Sequence, residues 1–261
     1  MSGGINLIEV NNVSQTFKVN DEQINVLKNI NFNIKDNSFN IIYGQSGSGK
    51  STLLNILTGL QKPTSGQVKF DGEDVYSYSS NRLAQFRANR VGFVYQQNFW
   101  VKSLNVIENV ALPLYFLGYS RKKSVILAKQ ALERVGMSSY IKKYPVMLSG
   151  GEQQRIAMAR AISSDPMFII ADEPTGNLDS TNGDKIMDLL QECHERFKRT
   201  IVLVTHNMEY LPMADHLLHI EDGFITDMES DDIHSTAKRL VTEMQHRIDD
   251  LLDKKKSTPH D

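Results

Sequence analysis

The chain has 261 residues with 29 Lys+Arg against 31 Asp+Glu, 40% hydrophobic and 23% charged. This is a globular composition with room for one large core or two small ones. Its formal net charge of -2 provides no bulk attraction to nucleic acid, and no nucleic-acid partner is expected. Cys193, the only cysteine, excludes an internal disulfide and a multi-thiolate zinc centre, and suits a reducing compartment. Residues 1–12 show neither a basic leader nor an apolar run, so no secretory signal is expected. The apolar stretch from Val106 to Tyr119 is broken by Glu108, Asn109 and Pro113. It falls short of the ~20 residues that span a bilayer.

In chain order, Ile5 to Val10, Ile30 to Ile34 and Val68 to Phe70 mix apolar and polar residues as half-exposed antiparallel strands do. Phe39 to Tyr43 is a continuous apolar run, the pattern of a fully buried strand. A glycine-rich turn follows, then apolar residues at helical spacing from Lys50 to Leu60, closed by Pro63-Thr64-Ser65-Gly66. The stretch from Ser103 to Pro145 reads as mostly helical, and another helix starts after Ser149-Gly150-Gly151. Buried-strand runs at Met167 to Ala171 and Thr200 to Val204 flank a helical stretch from Gly183 to about Arg196. Alternating strands and helices predict an α/β core with a mainly parallel sheet, preceded by an antiparallel β element and interrupted by a helical insertion. Ile233, Ala237, Leu240, Val241, Met244, Ile248, Leu251 and Leu252 fall on one face of a predicted C-terminal helix. That face could pack on its own domain, on a second copy or on another subunit.

Gly44-Gln45-Ser46-Gly47-Ser48-Gly49-Lys50-Ser51, followed by Thr52, matches the phosphate-binding pattern G-x-x-x-x-G-K-[ST] between a strand and a helix. Glycines let successive backbone N–H groups turn inward on an anion, and the helix N-terminus adds partial positive charge. Lys50 can reach the outer phosphates and the Ser51 hydroxyl can ligate Mg²⁺. The apolar strand from Phe168 ends in Asp172 and Glu173. In a parallel sheet, ligands gather at the carboxyl ends of strands, which predicts Asp172 as a metal partner and Glu173 as the base that polarises water. His206, after the strand ending Val204-Thr205, is predicted to reach the γ-phosphate and help hold that water.

Leu148-Ser149-Gly150-Gly151-Glu152-Gln153-Gln154-Arg155 resembles the LSGGQ signature of the ATP-binding cassette (ABC) ATPases. The other elements stand in that family's order: the phosphate loop, Gln96 after Gly92-Phe93-Val94-Tyr95, the signature, the Asp172-Glu173 strand, Asn177-Leu178-Asp179 similar to the D-loop, and His206 similar to the switch histidine. The resemblance implies a P-loop NTPase of ABC ATPase type over residues 4–225. Its RecA-like core and antiparallel part would occupy 4–95 and 160–225, its helical subdomain about 97–159, and a helical tail 226–261. It implies Mg²⁺-dependent ATP hydrolysis in a head-to-tail homodimer, with Ser149, Gly151 and Gln153 acting in trans and Gly150 and Asp179 among the nucleotide-binding residues. Gln96 would contact the metal or the attacking water, although Gln97 stands next to it. Phe17 matches the family's adenine-stacking aromatic, usually Tyr; an aromatic in a β region also serves as core.

With no span of its own, such a subunit would lie in the cytoplasm against the inner face of the membrane. It would drive a separate permease through a cytoplasmic coupling helix. Phe99, Trp100, Val101 and Leu104 either seat that helix or pack locally. The segments 92–96 and 108–114 resemble the lipoprotein-release, macrolide-export and peptide-resistance branch, which implies export or extraction of a lipoprotein, peptide or drug-like substrate. Competing readings are a permease-linked role in the cell envelope or division without transport, and a soluble ATPase acting on DNA or ribosomes. The latter usually carry a very long coiled coil or two cassettes, and neither is present.

Overall fold

The fold is that of a computed structural model that describes residues 6–229 together with Ile233, Ser235 and Thr242. β1 (Asn6–Val19) and β2 (Glu22–Lys35) form a long antiparallel hairpin. β3 (Phe39–Tyr43) leads through the phosphate loop into α1 (Lys50–Leu57). β4 (Ser65–Phe70) and the short β5 (Glu73–Asp74) complete a four-stranded antiparallel sheet in the order β2-β1-β4-β5. α2 (Ser80–Arg90) then runs into β6 (Val91–Tyr95).

The helical region contains α3 (Val106–Phe116), α4 (Arg121–Arg134) and α5 (Gly150–Ile162). β7 (Phe168–Asp172), α6 (Ser180–Glu195), β8 (Thr200–Thr205), β9 (His216–Glu221) and β10 (Phe224–Glu229) follow. The second sheet runs β10-β9-β3-β8-β7-β6; all its pairings are parallel except that of β10 with β9. The expected α/β class with an antiparallel element and a helical insertion is therefore the one observed. β10 extends through residues 226–229, which the sequence reading assigned to the tail; of the apolar stripe beyond it, only Ile233 is described, and it is buried in the core. The rest of the predicted C-terminal helix lies outside the described residues.

Side-chain alternation along the parallel strands divides the interior into two layers. Ile41, Ile169, Ala171, Ile201 and Leu203 face α3 to α6, whereas Ile42, Ile170, Val202 and Val204 face α1 and the antiparallel sheet. β3, β7 and β8 are buried on both faces, which is why each reads as a continuous apolar run. Because α1 is enclosed between the two sheets, Leu53, Leu54, Ile56 and Leu57 are all buried. The helix stops at Leu57, short of the predicted Leu60, because Gly59 takes a left-handed φ of 68° and turns the chain.

A polar anchor fixes the start of the helical region. Asn109 is fully buried on α3; its amide N–H groups donate to the carbonyls of Val101, Leu104 and Asn105 at 3.2, 2.9 and 3.0 Å, and its Oδ1 accepts from Val101 N–H at 3.0 Å. Asn109 thereby ties down the loop 101–105 that an apolar residue would leave with unsatisfied buried groups. We expect Asn109→Ala to cost about 2–3 kcal/mol in chemical denaturation, the penalty of stranded buried polar groups. Amide exchange at Val101 should rise with it; wild-type stability in the variant would refute the anchor.

Candidate nucleotide site

Four strand ends converge on one cleft of about 660 Å³, lined by Gly44 to Gly47, Gly49 to Thr52, Gln96, Asp172, Glu173, His206 and Val26. The loop after β3 carries the first set, the ends of β6 and β7 deliver Gln96 and the two acids, and the end of β8 delivers His206. This is the carboxyl-end crevice in which open α/β sheets hold ligands. The expected P-loop residues other than Ser48, both acids, Gln96 and His206 therefore share one cavity. Gln97 does not line it.

The loop cannot be built from ordinary residues. Gly47 and Gly49 have φ of 80° and 108°, and a Cβ at Gly49 would stand 3.1 Å from the Val26 carbonyl. At Gly44 a Cβ would collide with the carbonyl of Ile220 on β9. Lys50 closes the loop, its ammonium donating to the carbonyls of Gly44 and Gln45 at 2.8 and 2.7 Å. Burial pulls the Lys50 ammonium below its ordinary value, with Glu173 and Asp172 opposing the shift. The Ser48 hydroxyl is buried without a hydrogen-bond partner, a polar group suited to an anionic oxygen in the loop.

Burial, reinforced by the neighbouring Glu173 charge, raises the Asp172 carboxyl above its ordinary value, and Lys50 only partly offsets this. A carboxylate held against its preference for water is relieved by a bound cation, and Ser51, Gln96 and Asp172, which line the same cleft, carry oxygen atoms of the kind that could hold Mg²⁺. Glu173 leaves β7 in a left-handed conformation, φ 46°, with its N–H donating to Val204 O at 2.9 Å. Its carboxylate Oε2 lies 2.8 Å from His206 Nδ1. Glu173 is thus gripped from two sides while its side chain faces the cleft.

The signature lies elsewhere. Ser149 caps α5, with its Oγ accepting from Glu152 N–H at 3.4 Å and Glu152 Oε2 accepting from Ser149 N–H at 2.8 Å, a capping box. Gly151 is required by packing, since a Cβ there would meet the Asn182 side chain at 2.7 Å, and Asn182 is held by Asp179 at 2.7 Å. Neither the signature residues nor Asp179 line the cleft. Phe17 lies opposite Ile24 on the β1–β2 hairpin and is also outside the lining, where β2 contributes Val26 instead. No sequence motif marks Val26; only the packing of β2 against the loop shows it. Of the apolar residues after Gln96, Phe99 and Val101 are exposed, whereas Trp100 packs on the core and donates its indole N–H to Gln153 Oε1 at 2.8 Å.

A P-loop cleft at the mouth of a parallel sheet, with a strand-end acid pair and a second helix N-terminus set apart, defines an ATP-binding P-loop ATPase. The family model described as ABC transporter matches residues 27–176, and the chain belongs to that family. It is 40% identical over 219 residues to the lipoprotein-releasing system ATP-binding protein LolD of Shewanella frigidimarina, covering 84% of this chain and 92% of that one. The macrolide export ATP-binding/permease protein MacB of Mannheimia succiniciproducens is 39% identical over 85% of this chain, which spans 34% of that longer protein. Among solved structures, a dimeric post-hydrolysis state of the cassette MJ0796 bound to ADP and Pi superposes with a TM-score of 0.79 at 38% identity, over 85% of this chain and 98% of that one. MJ0796 comes from Methanocaldococcus jannaschii. The chain is an ABC transporter ATPase that binds ATP.

The raised Asp172 carboxyl makes a stability prediction. A carboxylate whose folded pKa exceeds its unfolded one destabilises the native state once ionised, fully so above the folded pKa. Asp172→Asn should therefore raise the melting temperature of the nucleotide-free protein at neutral pH. The gain should fade as pH falls through the folded pKa, where the wild-type group is itself neutral. A gain that is absent at neutral pH, or unchanged at acid pH, would contradict this electrostatic account.

Proposed function

We propose that this chain is the ATP-hydrolysing subunit of a membrane transporter of the lipoprotein-release and macrolide-export branch, acting as a head-to-tail pair beneath a separate integral membrane permease. The observation that carries the reading is the separation of two helix N-termini. One, at the phosphate loop, shares a cleft with Asp172, Glu173, Gln96 and His206; the other, at Ser149, lies outside it. Both are anion sites by dipole and free N–H groups. A second copy brings the Ser149 end to the first copy's nucleotide, which accounts for a signature that its own cleft does not use. Gly150, Gly151 and Asp179 accompany Ser149 to that interface.

In each site, Lys50, the loop amides and Ser48 hold the phosphates. Ser51, Asp172 and Gln96 are the residues that would hold Mg²⁺. When bound, that ion supplies charge neutralisation at the phosphoryl oxygens. Glu173 takes the proton from the attacking water, and His206, 2.8 Å from its carboxylate, fixes the base in place. Phe17 offers its ring to adenine from the hairpin edge. Positioning and electrostatics carry the rate. The likeness to LolD and MacB supports amphiphilic cargo, a lipoprotein or a drug-like molecule, as the substrate class.

Glu173→Gln should lower ATP turnover by about a hundredfold or more, the usual contribution of a positioned base. It should also leave ATP binding intact and accumulate an ATP-bound dimer in sedimentation. Near-wild-type turnover in that variant would overturn the assignment of Glu173.

Among the described residues no helix is long and apolar enough to cross a membrane, so this reading needs a permease. An apolar groove of about 600 Å³ between α2, β6 and α3 offers the seat, with Leu60 and Phe116 exposed and Phe93, Tyr95 and Pro113 along its floor. The coupling helix docks there, holding the subunit at the inner face of the membrane, with Phe99 in the adjoining hollow. We expect Phe116→Glu to abolish co-purification with an integral membrane protein from detergent extracts while leaving ATP binding unchanged. Unaltered co-purification would move the docking surface elsewhere.

A further inference from the structure

The first turn of α5 is held by a chain of contacts that ends at the only tryptophan in the protein, Trp100. Leu148 O and Ser149 N–H belong to one planar peptide unit, so fixing both ends fixes the direction in which Ser149 leaves it. The carbonyl end accepts from Gln153 Nε2 at 3.0 Å, and the N–H end donates to Glu152 Oε2 at 2.8 Å. Gln153 is held in turn, because its Oε1 accepts the Trp100 indole N–H at 2.8 Å. Each end of the Gln153 amide is thus occupied within its own subunit.

Trp100 is itself held. The Arg160 guanidinium lies 4.5 Å from its ring, and donates to the carbonyls of Asn98 and Phe99 at 2.7 and 3.4 Å. Those bonds keep Phe99 in a left-handed conformation, φ 43°, that an aromatic residue rarely adopts. Burial lowers the Arg160 guanidinium to about 10, still charged at neutral pH. Two residues further on, Val101 is anchored by Asn109.

We propose that Trp100 is a positioning residue for the signature, acting through Gln153 to set the Leu148–Ser149 peptide, and that Gln153 is a strut and not a nucleotide contact. This replaces the contact with nucleotide expected above for Gln153, since the fifth position of the LSGGQ pattern falls on Glu152, and it rests on the head-to-tail reading above. A strut and a contact differ in how their variants combine. Removing either end of a Trp100–Gln153 strut breaks the same link, so the double variant behaves like a single one. A residue that touches nucleotide directly adds its own loss to that of Trp100.

The test uses the full chain in a Glu173→Gln background, where ATP is not consumed, with the ATP concentration for half-maximal dimerisation read by sedimentation. Trp100→Phe and Gln153→Met are each expected to raise that concentration about threefold to tenfold, the scale of one neutral hydrogen bond. The double variant should match the larger single effect. ADP affinity of the monomer, which does not involve the signature, should stay within about twofold of the parent. Tryptophan emission gives a second reading without nucleotide: Gln153→Met should shift the Trp100 maximum to the blue as the indole loses its polar partner.

An unaltered midpoint in Trp100→Phe, additive single effects, or unmoved emission in Gln153→Met would each overturn the strut. A parent that stays monomeric at saturating ATP would overturn the head-to-tail reading itself, and the strut with it, whereas dimerising variants with additive losses would overturn the strut alone.

Discussion

The nucleotide end of the molecule depends on how closely the phosphate loop lies against two strands that are remote in sequence. At Gly44 there is no room for a Cβ beneath the Ile220 carbonyl, and at Gly49 the left-handed backbone sits against the carbonyl and side chain of Val26. Lys28 N–H donates to Gly223 O at 2.8 Å, fastening β2 to the β9–β10 turn on the far side of the same loop. The loop is shaped as much by this tertiary vice as by its own glycines. The antiparallel sheet is therefore part of the site: it covers α1, presses Val26 into the cleft and gives the helix N-terminus a fixed aim. A glycine-rich turn without that pressure would be free to collapse or open.

Charge imposes the second constraint. Lys50 and Asp172 share a cleft yet are both displaced toward their neutral forms, because burial outweighs the attraction between them. Such a pair is a poor source of stability and a good site for ligands of both signs. Phosphate oxygens suit the ammonium and the loop amides, and a divalent cation suits the carboxylate. Glu173 is turned away from that pair where its backbone leaves the strand, and its carboxylate meets His206 at 2.8 Å. One residue's change in backbone direction separates the proposed metal ligand from the proposed base.

What could be read in the sequence follows from burial. β3, β7 and β8 are enclosed on both faces and appear as unbroken apolar runs, so the strands that carry the site, and the motif residues at their ends, were legible. α2 was not, because it buries no residue completely and so lacks an apolar stripe; its start is marked only by the Ser79 cap. β1 and β2 run far beyond the predicted segments because their outer halves are exposed and interrupted by register shifts near Asn12. β9 and β10 escaped notice because His216 stands in a buried strand position. Its Nδ1 meets Asn40 Oδ1 at 3.0 Å and its Nε2 meets Asp227 Oδ1, so a polar pair does work that a hydrophobic pair would have announced. Within the site, the need for glycine at 151 and the part played by Val26 come from the neighbours Asn182 and Gly49, which no spacing reveals.

The segment from Gln96 to Val101 joins three surfaces over six residues. Gln96 lines the cleft, Phe99 is 67% exposed beside the apolar groove, and Trp100 stands under the signature helix. Arg160 grips the middle of the segment and Asn109 its end, so little slack remains between these points. In a loosely held loop, a displacement of Phe99 would dissipate in backbone rotation. A segment fixed by a buried guanidinium and a fully bonded asparagine passes the displacement on, toward Gln96 on one side and Gln153 on the other. In the proposed head-to-tail pair, the same rigidity that makes the helical insertion costly to disturb would let an event at the outer face be felt at both halves of an ATP site.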